Sequence, residues 1–593
     1  MGIARAPASE IQVDEKKYLS VDSAPKGYAV PVPAWKAPVF LASFAAAAFT
    51  LLFFPNFGRA YATLLSLLSG ESLAFHGSLH FRLFFLAFCL AFWPFAAGNW
   101  AKRLRLLFFT VGGCLGATLL TDVAFLKIAD TSPFSFLGDL LSGFAGMLST
   151  LTVLVSQVRL PEGVRVNSEA RRPLYYDAAF VLSLVLPALL ALLLSAHAES
   201  EIRSLKDVAL LGGLGPGFAL FSPCRQMVTF ALGFLIAKAY RLRCSRPAPF
   251  PPVAFLVAAL NEADQIAECV RGLDRAASNY PGPCRLYLVD NGSTDETRKI
   301  AEKALRRCRN LKGMVLFCPT PGKARALNFG LRFVQEEILV RVDADTVVSP
   351  SLLLELIPYF ADPRVGGVSG LPLPKALSYW FAKMRAVEVY CNIGFGRVAQ
   401  GSFDGILVLP GIMAAFRRDL LSRLGGFAEG INGEDTDIAI RVGRLGYRII
   451  VDPWIRFWTE VPNCWDHLRD QRIRWSRSNF HTFARNKSAV WLLQGGRGIW
   501  SIPFSLFGTL RRIVVLLTLC YAGIVALVDP SALYLNQGAA EAALVVGPSL
   551  ILSVVALTAY RRFDLLGSLP GFLFWRLLRA YFALEMLFSL PLK

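Results

Sequence analysis

Residues 338–346 read ILVRVDADT, and the reading of this stretch decides the fold. Ile338, Leu339, Val340 and Val342 form a short apolar, largely β-branched run, the composition of a strand buried in a parallel sheet. The run ends in two aspartates, Asp343 and Asp345. Ligands of open α/β sheets gather at the carboxyl ends of the strands, so acids placed there differ from solvated surface charges. Alternation along a strand predicts both carboxylates on one side. Two hard oxygen donors so placed suit Mg2+ or Mn2+ that also takes phosphate oxygens, and such an ion neutralises a diphosphate leaving group.

Working outward, VAFLVAAL (253–260), RLYLVD (285–290) and GMVLFC (313–318) have the same character. Amphipathic patterns over 264–277, 294–307 and 323–335 separate them. Strands alternating with helices predict an α/β domain with a parallel central sheet. The strand ends are polar: Asn261-Glu262 after the first, Asp290 within VDNGSTDET after the second. A further apolar run, 405–416, precedes Gly433-Glu434-Asp435. Lys323 and Asn328 lie in PGKARALN, where a helix N-terminus with a lysine makes an anion site.

The flanks differ. The chain has 593 residues, is 54% hydrophobic and only 18% charged, and its mean hydropathy is +0.47. That composition predicts an integral membrane protein. The net charge of +19 is expected to sit in cytoplasmic loops and against anionic headgroups, not on nucleic acid. Eleven cysteines and five histidines show no metal-ligand spacing and no disulfide framework. Apolar stretches near 38–58, 81–100, 104–126, 134–157, 176–197 and 216–240 predict six spans. Lys/Arg-rich loops on alternate sides place the N-terminus in the cytoplasm. Asp122 and Asp139, in or beside these stretches, are expected to face a cavity or a partner. After the α/β region, spans are expected near 511–528 and 543–560, with 565–590 a third span or an interfacial helix. The organisation expected is a cytosolic tail (1–36) without a cleavable signal peptide, a transmembrane region (37–244), a cytosolic domain (245–487) with interface helices, and a C-terminal transmembrane region (488–593). The segment 376–398, with Trp380, Phe381, Glu388 and Tyr390, is expected to be one such interface helix, near the acceptor.

LNEADQI, VDNGSTDET, KARALN, RVDADT, GEDTD and QRIRW occur in that order between about 250 and 480. Together they resemble the D, D, D, QxxRW set of membrane-embedded family 2 glycosyltransferases, similar to bacterial cellulose, hyaluronan and poly-N-acetylglucosamine synthases. The resemblance implies an α-helical membrane protein of the cell inner membrane with an inserted cytosolic α/β domain of GT-A, Rossmann-like fold. It implies that Leu260, Asn261, Glu262 and Asp290 contact the nucleotide, with Lys323 on the diphosphate and Asp343 and Asp345 on Mg2+ or Mn2+. Many relatives carry an aromatic or proline where this chain has Leu260. Asp435 corresponds to the general base, with Glu434 before it. Gln471 and Arg474 join the donor site and Trp475 holds the acceptor, an indole face suiting the C–H face of a sugar. The activity implied is inverting, metal-dependent, processive transfer from a UDP- or GDP-sugar, with the exopolysaccharide passing through the enzyme's own channel. The partners implied are the nucleotide sugar, a growing glycan or lipid acceptor and the bilayer, and the resemblance allows for accessory export proteins. The alternative is transfer of one sugar to a membrane lipid, since ceramide glucosyltransferases carry a similar set. The segment 410–427 differs from cellulose synthases, so cellulose is not assigned.

Overall fold

Apolar chain in lipid must satisfy its backbone internally, and a helix does so within one segment. Helices α1 (Lys36–Phe53), α2 (Phe57–Ser69), α3 (His80–Phe92), α4 (Trp100–Ala129), α5 (Phe136–Gln157), α6 (Leu174–His197) and α7 (Pro216–Cys244) form the N-terminal region. The computed structural model describes residues 27–53, 57–75, 79–129, 133–168, 174–197, 216–244, 250–528 and 535–593. The expected tail up to residue 26 and the loop 198–215 lie outside the described residues. Among the described residues, five stretches are long and apolar enough to cross a membrane: Lys36–Phe53, Trp100–Lys127, Gly138–Gln157, Leu174–Ala191 and Arg497–Val528. The apolar helices His80–Phe95 and Ser549–Ala559 are shorter, and α7 breaks its apolar run with Arg225 and Gln226.

Asp122 and Asp139 are buried and share one cation. Arg82 reaches Asp122 at 2.5 Å and Asp139 at 2.7 Å. The Tyr61 hydroxyl donates to Asp122 at 2.6 Å, and the Ser142 hydroxyl donates to the same carboxylate. Four helices, α2 to α5, are thereby joined through one polar cluster, so each acid faces a partner.

The α/β domain holds one eight-stranded sheet, order β3-β2-β1-β4-β7-β6-β8-β5. The strands are β1 (Val253–Ala259), β2 (Cys284–Asp290), β3 (Lys312–Phe317), β4 (Ile338–Asp343), β5 (Val347–Val348), β6 (Val365–Pro374), β7 (Met413–Arg417) and β8 (Arg448–Thr459). Strands β3, β2, β1 and β4 are parallel, and β7 pairs antiparallel with β4, Val342 opposite Met413. The four strands expected from sequence are parallel, and β7 makes the sheet as a whole mixed. The reversal has a consequence for the site: an antiparallel β7 begins where β4 ends, so the loop 410–412 lies at the carboxyl end of β4. Crossover helices α8 (Ile266–Ser278), α9 (Thr297–Arg306) and α10 (Lys323–Leu331) join the parallel strands. The two-residue period of β1 sorts its side chains. Val253, Phe255 and Val257 pack with Ile266, Val270 and Leu273 of α8, while Ala254 and Leu256 pack with Ala326 and Leu327 of α10.

Helices α11 (Trp380–Val389), α12 (Glu434–Arg444), α13 (Trp465–Trp491), α14 (Ile502–Val528), α15 (Leu535–Ala559) and α16 (Leu569–Leu587) complete the fold. QRIRW lies well inside α13, and α16 packs against α11, α13 and α14. Trp575 and Glu585 of α16 are buried, and Glu585 takes Arg469 of α13 at 2.8 Å. Residues beyond α16 thread back to the first helices: Val30 N–H donates to Ser589 O, Leu592 N–H to Ala97 O and Lys593 N–H to Gln157 O, at 2.8 to 2.9 Å.

Arg82→Gln leaves two buried carboxylates without their cation. We expect a loss of about 3–5 kcal/mol, the cost of breaking a buried pair from one side, read as a lowered unfolding midpoint in detergent. An unchanged midpoint would refute the structural role assigned to Arg82.

Candidate active site

The site begins at the ends of β1, β2 and β4. Ala259 pairs with Asp290 and Ala258 with Asp343, so the two acids flank the end of β1 on either side. One strand between them sets their Cα atoms roughly 10 Å apart. Asn261 adopts φ of 55°, a left-handed conformation that asparagine tolerates better than most residues. That turn lets Asn261 Oδ1 accept from Thr294 N–H at 2.8 Å, while Asn261 N–H donates to Ser293 Oγ. Glu262 N–H donates to Thr297 Oγ1 at 2.7 Å, and Leu260 sits between these residues and β1. Asp290 is buried and accepts from Ser293 N–H. Asn291 holds the neighbouring loop, giving its amide to Thr320 O and taking Gly322 N–H at 2.7 Å. This anchors the start of α10, where Lys323 reaches Asp343 at 2.7 Å.

The strand β4 stops at Asp343, and Thr346 N–H closes a turn on Asp343 O. Asp345 therefore sits in a turn, not on the strand, and the alternation expected from sequence does not apply to it. The two carboxylates still interact. Burial first, and the Asp343 charge second, push the Asp345 carboxyl up to about 6, with Lys323 opposing. The third acidic cluster arrives through the β7 reversal. Asp343 N–H donates to Ile412 O at 2.8 Å, and the adjacent Gly411 N–H donates to Asp435 Oδ2 at 3.1 Å.

Glu434 and Asp435 open α12, and their environments divide them. Arg341, a buried arginine in β4, reaches Glu434 at 2.9 Å and Asp343 at 3.8 Å. Burial alone would raise Glu434, but Arg341 and Lys323 outweigh it and hold it below the usual carboxylate range. Burial and the Glu434 charge raise Asp435, against the weaker pull of Arg341 and of Thr436 N–H. Two adjacent carboxyls thus have their proton affinities driven apart by their surroundings. Arg397, which donates to Val408 O at 2.8 Å, lies within electrostatic range of Asp435.

The helix α13 forms the next wall. Gln471, Arg474 and Ser478 recur at helical spacing and share a face, and Ser478 meets the loop before α12 at Gly433. Gly433 has φ of 86°, and a Cβ there would collide with Ser478 Oγ. Gln471 Oε1 is buried with no hydrogen-bond partner among the described residues. Trp475 is 39% exposed, and Arg385 and Arg472 lie over its ring at 4.8 and 4.7 Å. Glu388 of α11 accepts Arg472 bidentately at 2.8 and 2.7 Å. The coulombic pull of Arg472, Arg579 and Arg385 outweighs burial and holds the Glu388 carboxyl far below its ordinary range.

Of the groups found here, sequence reasoning missed Arg341 and Arg397. A charged residue inside an otherwise apolar strand was the available signal for Arg341, because a buried guanidinium demands a carboxylate. Nothing in the sequence around Arg397 pointed toward Asp435. Asp343 and Asp345 are the residues whose donor chemistry suits a divalent cation.

Residues 251–478 match the family described as "Glycosyltransferase like family 2". The poly-beta-1,6-N-acetyl-D-glucosamine synthase of Staphylococcus aureus (strain MSSA476) is 26% identical over 235 residues, 40% of this chain and 56% of that protein. Its counterpart from Staphylococcus epidermidis is 25% identical over the same shares. The chain thus spans 56% of the length of these curated relatives. Among solved structures, a mannosyltransferase from Pyrobaculum calidifontis in complex with GDP-Man and Mn2+ aligns with 57% of this chain and 99% of its own, at 24% identity and a TM-score of 0.39. The glucosyl-3-phosphoglycerate synthase of Mycobacterium tuberculosis, in complex with Mn2+, UDP-glucose and phosphoglyceric acid, aligns over 42% and 82% at 20% identity, TM-score 0.29.

Gly433→Ala forces a side chain into the left-handed region and against α13. We expect a cost of about 1–3 kcal/mol, seen as a lower unfolding midpoint. Adding Ser478→Gly should restore only the steric part. Wild-type stability of Gly433→Ala alone would show that the α12–α13 contact is not needed.

Proposed function

We propose that the family 2 glycosyltransferase domain of this chain, of GT-A type, transfers a sugar from a nucleotide-diphosphate donor to an acceptor hydroxyl with inversion. One observation carries the reading: the raised carboxyl of Asp435 stands beside the lowered carboxyl of Glu434 at the strand end that bears Asp343. A base must accept a proton, and of the two only Asp435 is tuned to do so. The acceptor hydroxyl gives its proton to Asp435, its oxygen forms the new bond to the anomeric carbon, and the bond from that carbon to the diphosphate oxygen breaks. Asp290 and the Leu260-Asn261-Glu262 turn border the nucleotide. Lys323 and Arg474 offset charge on the departing diphosphate. The unpaired Gln471 Oε1 is an acceptor for a substrate hydroxyl, and the exposed face of Trp475 stacks on the acceptor sugar.

Asp343 and Asp345 would hold Mg2+ or Mn2+. The fit rests on their chemistry: two oxygen donors, one of them raised to about 6 by burial first and by the charge of the other second, a strain that a cation relieves. The ion would supply charge neutralisation at the diphosphate.

We read the reaction as processive. In this reading the domain faces the cytosol of an inner membrane, and the glycan leaves through a path among the chain's own helices. The relatedness to poly-beta-1,6-N-acetyl-D-glucosamine synthases supports a polymer product. Incubating the purified protein with a panel of nucleotide sugars and Mg2+ or Mn2+, and sizing the product, tests this. A ladder or smear is expected; one glycolipid band would favour single transfer, and no released nucleotide would refute the enzyme.

Two variants test the chemistry. Asp435→Asn is expected to lower kcat by about 10²–10⁴-fold while donor affinity, measured by calorimetry, stays near wild type; full turnover would remove Asp435 as base. For Asp345, the proton competes with the cation, so Mn2+-dependent nucleotide affinity should be full above neutrality and fall as pH drops through about 6. The expected loss is roughly tenfold per unit below that value. Asp345→Asn should weaken binding and flatten the profile, and a flat wild-type profile would contradict the assignment.

A further inference from the structure

Beneath Trp475, four helices bring together more positive charge than they balance. Arg385 comes from α11, Arg472 from α13, Arg511 and Arg512 from α14, and Arg576 and Arg579 from α16. Glu388 is the acid that answers them, taking Arg472 at 2.7 Å, Arg579 at 3.1 Å and Arg385 at 3.2 Å. Among the described residues, no carboxylate lies within ion-pair distance of Arg511, Arg512 or Arg576. Among the described residues, Arg512 donates to Thr509 Oγ1 at 3.0 Å. Arg512 stands in electrostatic range of Arg579, Arg511 and Arg472, and Arg576 in range of Arg579 and Arg511.

A solvated basic surface would carry such charge cheaply, but only Arg511 is exposed here, while Arg472 Nε and Arg512 Nε are buried with no hydrogen-bond partner among the described residues. The side chains of Arg472, Arg385 and Arg579 are 6%, 11% and 19% exposed. Like charges held together away from water repel strongly and call for an anion. The donor diphosphate has its own cation, Lys323, at the sheet end, so the anion here is a different one.

The surroundings say where that anion resides. Phe504, Phe507 and Arg511 recur at helical spacing on one face of α14, and both phenylalanines are exposed. Phe574 and Leu577, beside Arg576, are exposed too, and Trp380 packs on Phe574 at 6.2 Å. Exposed aromatics beside arginines, as on α14 and α16, are the pairing found at the headgroup level of a bilayer.

We propose that Arg385, Arg472, Arg511, Arg512, Arg576 and Arg579 form a phosphate site at the membrane–water interface, adjoining the acceptor position, and that a membrane lipid supplies the phosphate. The proposal rests on the reading of Trp475 as the acceptor wall, since Arg385 and Arg472 lie over that ring. Two lipids carry the required chemistry: a phosphate-linked acceptor or primer, whose sugar would reach Trp475, and an ordinary anionic phospholipid.

The test is lipid retention by the full chain, read by native mass spectrometry without nucleotide sugar. It can therefore fail while glycosyl transfer succeeds, and the reverse. The probes are a long-chain polyisoprenyl phosphate, phosphatidylglycerol and phosphatidylcholine. Wild type should retain a phosphate-bearing anionic lipid over phosphatidylcholine, and preference for the isoprenyl phosphate over phosphatidylglycerol identifies the acceptor as its source, equality the headgroup. Arg511→Gln with Arg576→Gln removes two arginines that have no carboxylate to orphan. Affinity should fall about fivefold for each charge, whereas Arg511→Lys with Arg576→Lys should keep most of it. Equal retention by wild type and the glutamine pair, or equal retention of phosphatidylcholine, overturns the site. Should the glutamine pair not fold, salt decides on wild type: retention must weaken as ionic strength rises, and insensitivity to salt overturns the proposal.

Discussion

The architecture of the site turns on one buried ion pair, Arg341 with Glu434 at 2.9 Å. An arginine in the middle strand of a sheet cannot be left uncompensated, because removing either partner of such a pair strands a charge in a low-dielectric interior. That requirement fixes the first turn of α12 against the carboxyl end of β4. It settles which of two adjacent acids stays ionised and which holds its proton more tightly. Gly411 completes the arrangement by hydrogen-bonding Asp435 from the loop that precedes β7. Three acidic segments separated by scores of residues thus meet because one strand carries a cation and its neighbour runs backwards.

The parts of this that could be read from sequence are those governed by local rules. The strands at 253–259, 284–290, 312–317 and 338–343 announce themselves as apolar runs, and their helices as 3.6-residue patterns. The direction of β7 was not legible, because five residues, Met413–Arg417, say nothing about which way they pair. The position of Asp345 was misread for a related reason: periodicity holds only while the strand lasts, and β4 ends two residues earlier. The gathering of arginines below Trp475 was hidden as well. Its members come from four helices between 380 and 587, and only tertiary packing makes them neighbours.

The helix α13 is what links the two halves of the chain. One face, which carries Gln471, Arg474 and Ser478 at helical spacing, meets the turn before α12 where Gly433 lacks a side chain. Other residues of the same helix bind the membrane-side elements: Arg469 to Glu585, Arg472 to Glu388 and Arg477 to Ser589. A 27-residue helix anchored in this way fixes the α/β domain against α11 and α16.

The threading of residues 589–593 has a temporal meaning. Ser589, Leu592 and Lys593 close hydrogen bonds with Val30, Ala97 and Gln157, partners made hundreds of residues earlier during synthesis. Contacts so distant along the chain form late, after the entropy of closing the intervening loop has been met. The first helices therefore form without these hydrogen-bond partners and acquire them only once the segment 589–593 has been made. Quality control that samples nascent chains would meet an unfinished N-terminal bundle for as long as residues 589–593 have not been made.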